Sequence, residues 1–277
     1  MAVEIRKMSR ADIPLGMRLK EIAGWNQVPA DWEAYLKLEP EGCFVAELDG
    51  KPVATATTLN YRNRFGWIGM VLVDPPARRR GIATLLIETA YSYLDSVGCH
   101  CQKLDATDEG AQVYEKMGFM IEYEVERWEG KGGAPHRPSP ELKALNESRL
   151  QEVARLDQHA FGASRLPLLR WYASLECPRF MMETAYIVGR PGSKAWQMGP
   201  AVAQDSETAQ KLMAQFLAHS PAEALIVDIV AENREAVRIV RDLGFTRRRV
   251  LKRMYRGRNS WPGDPQQTFC LAGFEFG

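Results

Sequence analysis

The sequence predicts an α+β fold, a mixed-sheet α/β sandwich, that occurs twice in 277 residues. Three observations support this prediction: the order of strand and helix patterns in the first half, a stretch rich in glycine and proline near the middle, and the same order of patterns after it. At this length each half is large enough to bury a core of its own. We therefore predict domains at 1–130 and 141–277, joined by a linker at 131–140.

The first half alternates between strand-like and helix-like segments. Apolar and alternating runs predict strands at 3–8, 43–48, 53–61, 65–73, 102–106 and 119–127. Asp49-Gly50 separates the second and third of these strands and is a strong hairpin signal. Helical patterns cover 9–22, with Ser9 or Asp12 as the cap, 32–38, 79–97 and 108–117.

The second half repeats this order. Strands are predicted at 142–145, 185–188, 195–203, 224–230 and 245–255, and helices at 149–161, 166–175, 206–217 and 235–243. Aligning Gly118-Phe119 with Gly244-Phe245 sets Thr107 opposite Asn233 and Tyr114 opposite Val240. The chain therefore carries an internal repeat.

Composition excludes several classes of protein. The net charge is +1, so no overall field points to nucleic acid or a membrane surface. No apolar run approaches the ~20 residues that cross a bilayer, and the charged N-terminus is not a signal peptide, so we expect a cytoplasmic protein. The odd number of cysteines argues against a disulfide framework. Cys99-His100-Cys101 has no second ligand pair at zinc spacing, so we predict thiols in a sheet and no metal site.

The junction between the fourth strand and the third helix carries the most informative motif, Arg78-Arg-Arg-Gly-Ile-Ala-Thr84. The first turn of a helix has N–H groups without intrahelical partners and a partial positive charge. Gly81 and Ala83 allow an anion to approach the main chain, and the arginines add charge. The segment predicts a phosphate site; the alternative is an ordinary helix N-terminus with exposed arginines.

Two motifs together resemble the GNAT acetyltransferase family. Arg78, Gly81 and Ala83 fill its Arg/Gln-x-x-Gly-x-Gly/Ala pattern. About thirty residues later, Ala111-Gln-Val-Tyr-Glu-Lys-Met-Gly-Phe119 is similar to the Ala-x-x-Leu-Tyr-Glu-Lys-Leu-Gly-Phe run of the family. The motifs stand in the family's order and spacing, and the resemblance covers residues 3 to about 127.

The resemblance implies a site for acetyl-coenzyme A as cosubstrate. The main chain of Met70–Val73 would align the pantetheine arm, and the motif at 78–84 would hold the diphosphate. The residues implied to bind the coenzyme are Val71, Leu72, Val73, Arg78, Arg79, Arg80, Gly81, Ile82, Ala83, Thr84, Thr107, Gly110 and Tyr114.

Tyr114 occupies the position at which the family carries the general acid that protonates the departing thiolate. The alternative is a half-buried tyrosine that packs on the sheet. An attacking amine must also lose a proton, and Asp105 is the first candidate base, with Glu109 the second. Either carboxylate could instead only cap the helix that follows, or the proton could leave through water.

The second half lacks these features. Its counterpart of the phosphate motif, at 199–209, has no Arg-x-x-Gly-x-Gly, and Asp205 and Glu207 lie near the helix N-terminus, where they would repel a diphosphate. Val240 has no proton to give. The chain thus resembles tandem-GNAT proteins whose C-terminal half is degenerate, and we predict one coenzyme site.

These observations predict an N-acetyltransferase that transfers acetyl from acetyl-CoA to a primary amine of a small molecule or an amino-acid-like substrate, by direct attack in a ternary complex. The alternative is a non-catalytic acetyl-CoA sensor. We expect neither nucleic acid nor a membrane as partner, and a monomer or homodimer. In the stretch 247–258, seven of twelve residues are basic. It could attract an anionic substrate, a coenzyme phosphate or nucleic acid, but a solvated basic strand face is favoured.

Overall fold

The computed structural model describes residues 2–133, 141–221 and 223–277. The first half contains β1 (Val3–Lys7), α1 (Ile13–Ile22), α2 (Pro29–Leu38), β2 (Cys43–Leu48), β3 (Lys51–Tyr61), β4 (Phe65–Val73), α3 (Ile82–Ser96), β5 (Cys101–Ala106), α4 (Asp108–Lys116) and β6 (Met120–Lys131). The second half contains β7 (Lys143–Ala144), α5 (Leu150–Phe161), α6 (Leu166–Ser174), β8 (Phe180–Met182), β9 (Ala185–Arg190), β10 (Trp196–Ala203), α7 (Ser206–His219), β11 (Ala224–Val230), α8 (Arg234–Asp242), β12 (Thr246–Gly257) and β13 (Thr268–Cys270).

The predicted α+β order is confirmed in both halves, with β8 and β13 as additions that the sequence patterns did not reveal. Both strands have only three residues, too few for a periodic signal. The predicted linker begins inside β6, which continues to Lys131, and its positions 134–140 lie outside the described residues. The proposed boundaries at 130 and 141 stay a prediction.

The third helix begins at Ile82, whereas the sequence analysis began it at Arg79. The prediction was wrong by three residues because Arg79 has φ +60° and Gly81 has φ +78°, both in the left-handed region. These residues therefore belong to the loop, and Gly81 caps the helix.

All strands join one mixed sheet of thirteen strands, in which the two halves exchange their last long strands. β12 of the second half lies between β5 and β6, and β6 of the first half lies between β12 and β11. Val125 pairs with Leu251 at the centre, and these residues are equivalent in the internal repeat. An approximate twofold axis therefore passes between β6 and β12. The sequence analysis did not predict this exchange.

Two buried ion pairs hold the exchanged strands. Arg253 on β12 donates through Nε and Nη2 to the two carboxylate oxygens of Asp105 on β5, at 2.9 Å each. Arg127 on β6 makes the same bidentate contact with Asp228 on β11, at 2.7 Å each. Both aspartate side chains are fully buried. Each half thus supplies an aspartate for the arginine of the other half.

The helices α1, α2, α5 and α6 share one apolar cluster with strands of both halves, including β3, β4, β9 and β10, so the halves also share a core. The segment 271–277 runs through this core, and aromatic side chains of both halves bind its carbonyl groups. Tyr61 donates to the Phe276 oxygen at 2.6 Å and Tyr172 to the Ala272 oxygen at 2.6 Å. On the opposite face of the sheet, α3 packs over a separate cluster.

We expect Asp228→Ala to lower the free energy of unfolding by about 3–5 kcal/mol, because Arg127 would stay buried without its counter-ion. Urea denaturation measures this change. Asp242→Ala is the matched control, since Asp242 pairs with Arg238 on the exposed face of α8, and exposed pairs contribute about 0–1 kcal/mol. Equal losses in the two variants would contradict the assignment of the central pair.

Candidate active site

The site begins where two parallel strands separate. β4 and β5 pair only through Gly66 with Gln102 and Trp67 with Lys103, as far as the described residues go. Beyond these two pairs, β4 continues to Val73 and β5 to Ala106 without strand pairing between them. This leaves a V-shaped opening with one edge of β4 free. An extended ligand with amide groups can bind along such an edge as an added strand.

A bulge in β4 lies at the base of the opening. Thr55 of β3 pairs with Leu72 and Thr57 with Gly69, so Met70 and Val71 together face a single residue of β3. Met70 has φ +52°, and its carbonyl oxygen accepts a hydrogen bond from Thr55 Oγ1 at 2.9 Å. A bulge redirects main-chain groups that would otherwise bind the neighbouring strand. Main-chain N–H groups at Met70–Val71 are therefore candidate donors at this position.

A cavity of about 160 Å³ lies at the narrow end of this opening, where β4 and β5 begin to separate. It is lined by the loop after α1, by β4 and β5, by the start of α4, and by residues of β6, β12 and the segment 271–277. The lining residues are Trp25, Gln27, Ile68, Gly69, Met70, Val71, Leu104, Asp105, Ala106, Thr107, Gly110, Tyr114, Arg127, Arg249, Leu251, Phe274 and Glu275.

The predicted phosphate motif lies beyond the far end of β4. Arg78 Nε donates to the Val73 carbonyl at 3.0 Å, which ties the loop to the strand. The Leu85 amide donates to the Gly81 carbonyl at 3.0 Å, the first intrahelical hydrogen bond of α3. The main-chain N–H groups before Leu85 therefore have no acceptor within the helix. Arg78, Arg79, Arg80 and Gly81 are exposed. This geometry, with a helix N-terminus, left-handed backbone and cationic side chains, is suited to binding an anion, and the phosphate site stays a prediction.

Gly81 is required by the backbone rather than by crowding. Its φ is +78°, and no atom lies within 4 Å of the position that a Cβ would take. Any side chain there would be strained and would project into the space in front of the helix N-terminus.

Tyr114, Thr107 and Gly110 meet at the start of α4. Thr107 caps this helix, because its Oγ1 accepts a hydrogen bond from the Gly110 amide at 3.1 Å. Tyr114 is half-buried, its ring lies 6.0 Å from that of Phe119, and it faces the cavity. Burial raises the pKa of the Tyr114 hydroxyl to about 12, so it is neutral at physiological pH.

Of the two candidate bases, Asp105 lines the cavity, but its carboxylate is bound to Arg253. Burial raises the pKa of this carboxyl, and the guanidinium opposes the shift. Glu109 is exposed on the first turn of α4, 3.5 Å from Thr107 Oγ1. These positions do not decide whether Asp105 or Glu109 acts as the base, so both assignments stay predictions.

The sequence patterns did not indicate Trp25 and Gln27, nor the lining residues that come from β6, β12 and the segment 271–277. Arg127, Arg249 and Leu251 reach the cavity through the strand exchange, and Phe274 and Glu275 through the segment 271–277. The basic stretch 247–258, which forms most of β12, was the one sequence signal that could have indicated Arg249.

Comparison with known proteins identifies the family. Residues 17–119 match the sequence profile described as "Acetyltransferase (GNAT) family", and residues 153–270 match a second one described as "Acetyltransferase (GNAT) domain". The chain belongs to the GNAT acetyltransferases. It is a tandem GNAT protein, and each half carries one mixed α/β GNAT fold.

Several relatives of this tandem GNAT protein match over most of its length. A holothin acyltransferase of Pseudoalteromonas sp. is 25% identical over 262 residues, 91% of this chain and 87% of that one. The uncharacterized N-acetyltransferase YitH of Bacillus subtilis is 24% identical over 250 residues, 87% of each chain. The crystal structure of a putative acetyltransferase from Pyrococcus horikoshii has the same fold, with a TM-score of 0.88 over 99% of this chain and 96% of that one at 21% identity.

The second GNAT half of the chain has its own V-shaped opening, and β13 fills it. β10 and β11 pair from Trp196–Leu225 to Met198–Val227 and then separate. β13 pairs with β10 in the opening, and the Leu271 amide donates to the Asp228 carbonyl of β11 at 2.7 Å. Asp205 caps α7 by accepting a hydrogen bond from the Thr208 amide at 2.8 Å. The chain itself therefore occupies both the edge and the helix terminus that the first half leaves open.

Proposed function

We propose that the first half of this protein transfers an acetyl group from acetyl-CoA to the primary amine of a small or amino-acid-like molecule, by direct attack in a ternary complex. The observation that carries the proposal is the succession, along β4, of the helix N-terminus of α3, the free strand edge and the cavity at Tyr114. The equivalent path in the second half is filled by β13.

The residues along this path fit the coenzyme part by part. The loop 78–81 and the first turn of α3 suit a diphosphate, because they combine main-chain donors with cationic side chains. The free edge of β4 at Val71, Leu72 and Val73 suits the amide groups of a pantetheine arm. The cavity beyond it would hold the thioester and the acceptor.

When bound, acetyl-CoA supplies a thioester carbonyl as the electrophile. A main-chain N–H of the bulge at Met70–Val71 would donate to the carbonyl oxygen as negative charge develops there. Because a free alkylamine has a pKa of ~10.4, it must lose a proton before it attacks. Asp105 would accept that proton from within its ion pair, or ordered water would carry it away.

Tyr114 would act on the leaving sulfur. A free thiol has a pKa of ~8.5, well below that of this buried hydroxyl, so complete proton transfer from Tyr114 to the thiolate is uphill. A neutral hydroxyl is nevertheless a good hydrogen-bond donor to the developing thiolate. We therefore propose that Tyr114 stabilises the leaving thiolate by a hydrogen bond. The proton that converts the thiolate to the free thiol would come from Tyr114 or from water.

Thiol release in the presence of amines tests the proposal. The purified protein would be incubated with acetyl-CoA and a panel of primary amines, amino acids, polyamines and aminoglycosides, and free thiol and N-acetylated product would be quantified. Because one relative is named an acyltransferase, longer acyl-CoA donors form a second arm. We expect amine-dependent thiol release; thermal stabilisation by acetyl-CoA without release across the panel would instead support a sensor.

A second prediction concerns the anion site. We expect wild-type protein to bind one acetyl-CoA per chain, and Gly81→Glu to weaken that binding by about tenfold or more, because a carboxylate would repel the diphosphate. Gly50→Glu is the matched control: Gly50 has φ +74° and equally open surroundings but lies in the β2–β3 turn. Isothermal titration calorimetry measures both. Two equivalents per chain, or equal losses in the two variants, would refute the assignment.

The role of Tyr114 gives a third prediction. We expect Tyr114→Phe to lower kcat by about 10- to 100-fold with little change in the KM for acetyl-CoA, because the thiolate is already a fair leaving group. Since the pKa of Tyr114 is about 12, its hydroxyl stays neutral up to pH 10. The shape of the kcat profile between pH 6 and 10 should therefore be the same in both proteins. A change in kcat at high pH that wild-type protein shows and Tyr114→Phe lacks would contradict this prediction.

A further inference from the structure

The basic stretch of β12 contains one half-buried cation without a partner. Five of its seven basic residues form ion pairs with carboxylates, namely Arg247 with Glu126, Arg248 with Glu129, Lys252 with Asp108, Arg253 with Asp105 and Arg256 with Asp95. Within residues 2–133, 141–221 and 223–277, the side chain of Arg249 makes no hydrogen bond or ion pair. Unlike Arg258, which is exposed, it lines the cavity of the candidate active site.

Each of the other charged residues that line the cavity has an ion-pair partner. Asp105 pairs with Arg253 and Arg127 with Asp228, while Glu275 shares Arg190 with Asp31. The guanidinium of Arg249 is the one charged group among the lining residues without an ion-pair partner in the part of the chain that the structure describes. Asp228 and Glu109 attract it only from a distance, whereas burial and the neighbouring Arg127 lower its pKa. An arginine stays protonated even so, and therefore an unpaired charge remains in the cavity.

Arg249 lies on the side of the sheet that faces away from α3. Alternate residues of a strand point to opposite faces, and Leu251, two positions further on, packs with Leu271 and Phe274. Met254 points to the other face and packs against the core of α3. The anion site at the start of α3 and the guanidinium of Arg249 therefore lie on different faces of the sheet. We do not expect the diphosphate of the coenzyme to bind Arg249.

A second unsatisfied group lines the same cavity. Gln27 is buried, and its Oε1 has no hydrogen-bond partner among the described residues. A buried amide oxygen without a donor is destabilising. A rotation of the Gln27 amide towards the cavity would let an N–H of a bound molecule satisfy it. The cavity is thus lined by an unpaired cation and by a residue with an unpaired acceptor, which are complementary to an oxyanion and an amine.

We propose that Arg249 binds an oxyanion of the acetyl acceptor, so that the preferred acceptors are amines that also carry a carboxylate or a phosphate, with Gln27 as acceptor for the amine N–H. This inference rests on the proposed function and specifies its substrate class. A guanidinium binds either oxyanion through two parallel hydrogen bonds, so both chemistries enter the test.

Product-shaped probes test the inference without turnover. Three matched compounds would be titrated by calorimetry, with and without saturating coenzyme A: N-acetyl-β-alanine, N-acetyl-propylamine, which lacks the charge, and N-acetyl-2-aminoethyl phosphate. We expect at least one anionic probe to bind about tenfold or more tightly than the neutral one. Arg249→Gln should remove this preference, and Arg249→Lys should restore part of it, because lysine keeps the charge without the bidentate geometry.

Arg248→Gln is the matched control, because Arg248 is the exposed neighbour on the same strand and pairs with Glu129. It should leave the preference unchanged. The inference is overturned if neither anionic probe binds more tightly than the neutral one, or if the preference survives in Arg249→Gln. It is also overturned if Arg249→Gln weakens acetyl-CoA binding tenfold, since the guanidinium would then serve the coenzyme. Failure of wild-type protein to bind acetyl-CoA counts against the proposed function alone, because the titrations without coenzyme still measure the preference.

Discussion

The exchange of β6 and β12 between the two halves determines how the sheet, the shared core and the cavity are built. It converts two sheets into one, and it buries an aspartate of each half against an arginine of the other. Removing two charges from water is costly unless each finds a well-placed partner, so these pairs favour a single register of the exchanged strands. Because Asp105 and Arg127 also line the cavity, the contacts that join the halves also shape the candidate active site.

The two halves show how one fold keeps a ligand site or closes it. In the first, β4 and β5 separate and leave a strand edge free. In the second, β10 and β11 separate in the same way, but β13 pairs with the free edge of β10. Main-chain groups at an unpaired edge need a partner, which can be another strand, a ligand or water. In the proposed function a ligand takes this place in the first half, whereas the second half fills it with its own chain.

The segment 271–277, together with β13 before it, contributes to the openings of both halves. Just before it, β13 closes the opening of the second half, and within it Phe274 and Glu275 form one wall of the cavity in the first half. A Cβ on Gly69 would lie 2.8 Å from the Glu275 carbonyl oxygen, so the segment packs directly on β4 beside the bulge. The second half thus contributes to the site of the first although its own opening is filled.

The order of elements, the repeat and the N-terminal motifs could be read from the sequence, because hydrophobic periodicity, capping residues and Gly81 act over a few neighbouring positions. Val71, Thr107, Gly110 and Tyr114, which the resemblance to the GNAT family implied, and Asp105, a candidate from its position at the end of a strand, line the cavity. Only the tertiary structure decided the strand exchange, the filling of the second opening by β13 and the isolation of Arg249. These depend on pairings between residues that are far apart in the sequence, such as Cys270 with Ala201 and Arg253 with Asp105. The alternation of apolar and polar residues along a strand shows which face of the sheet each side chain takes, but not which strand lies beside it.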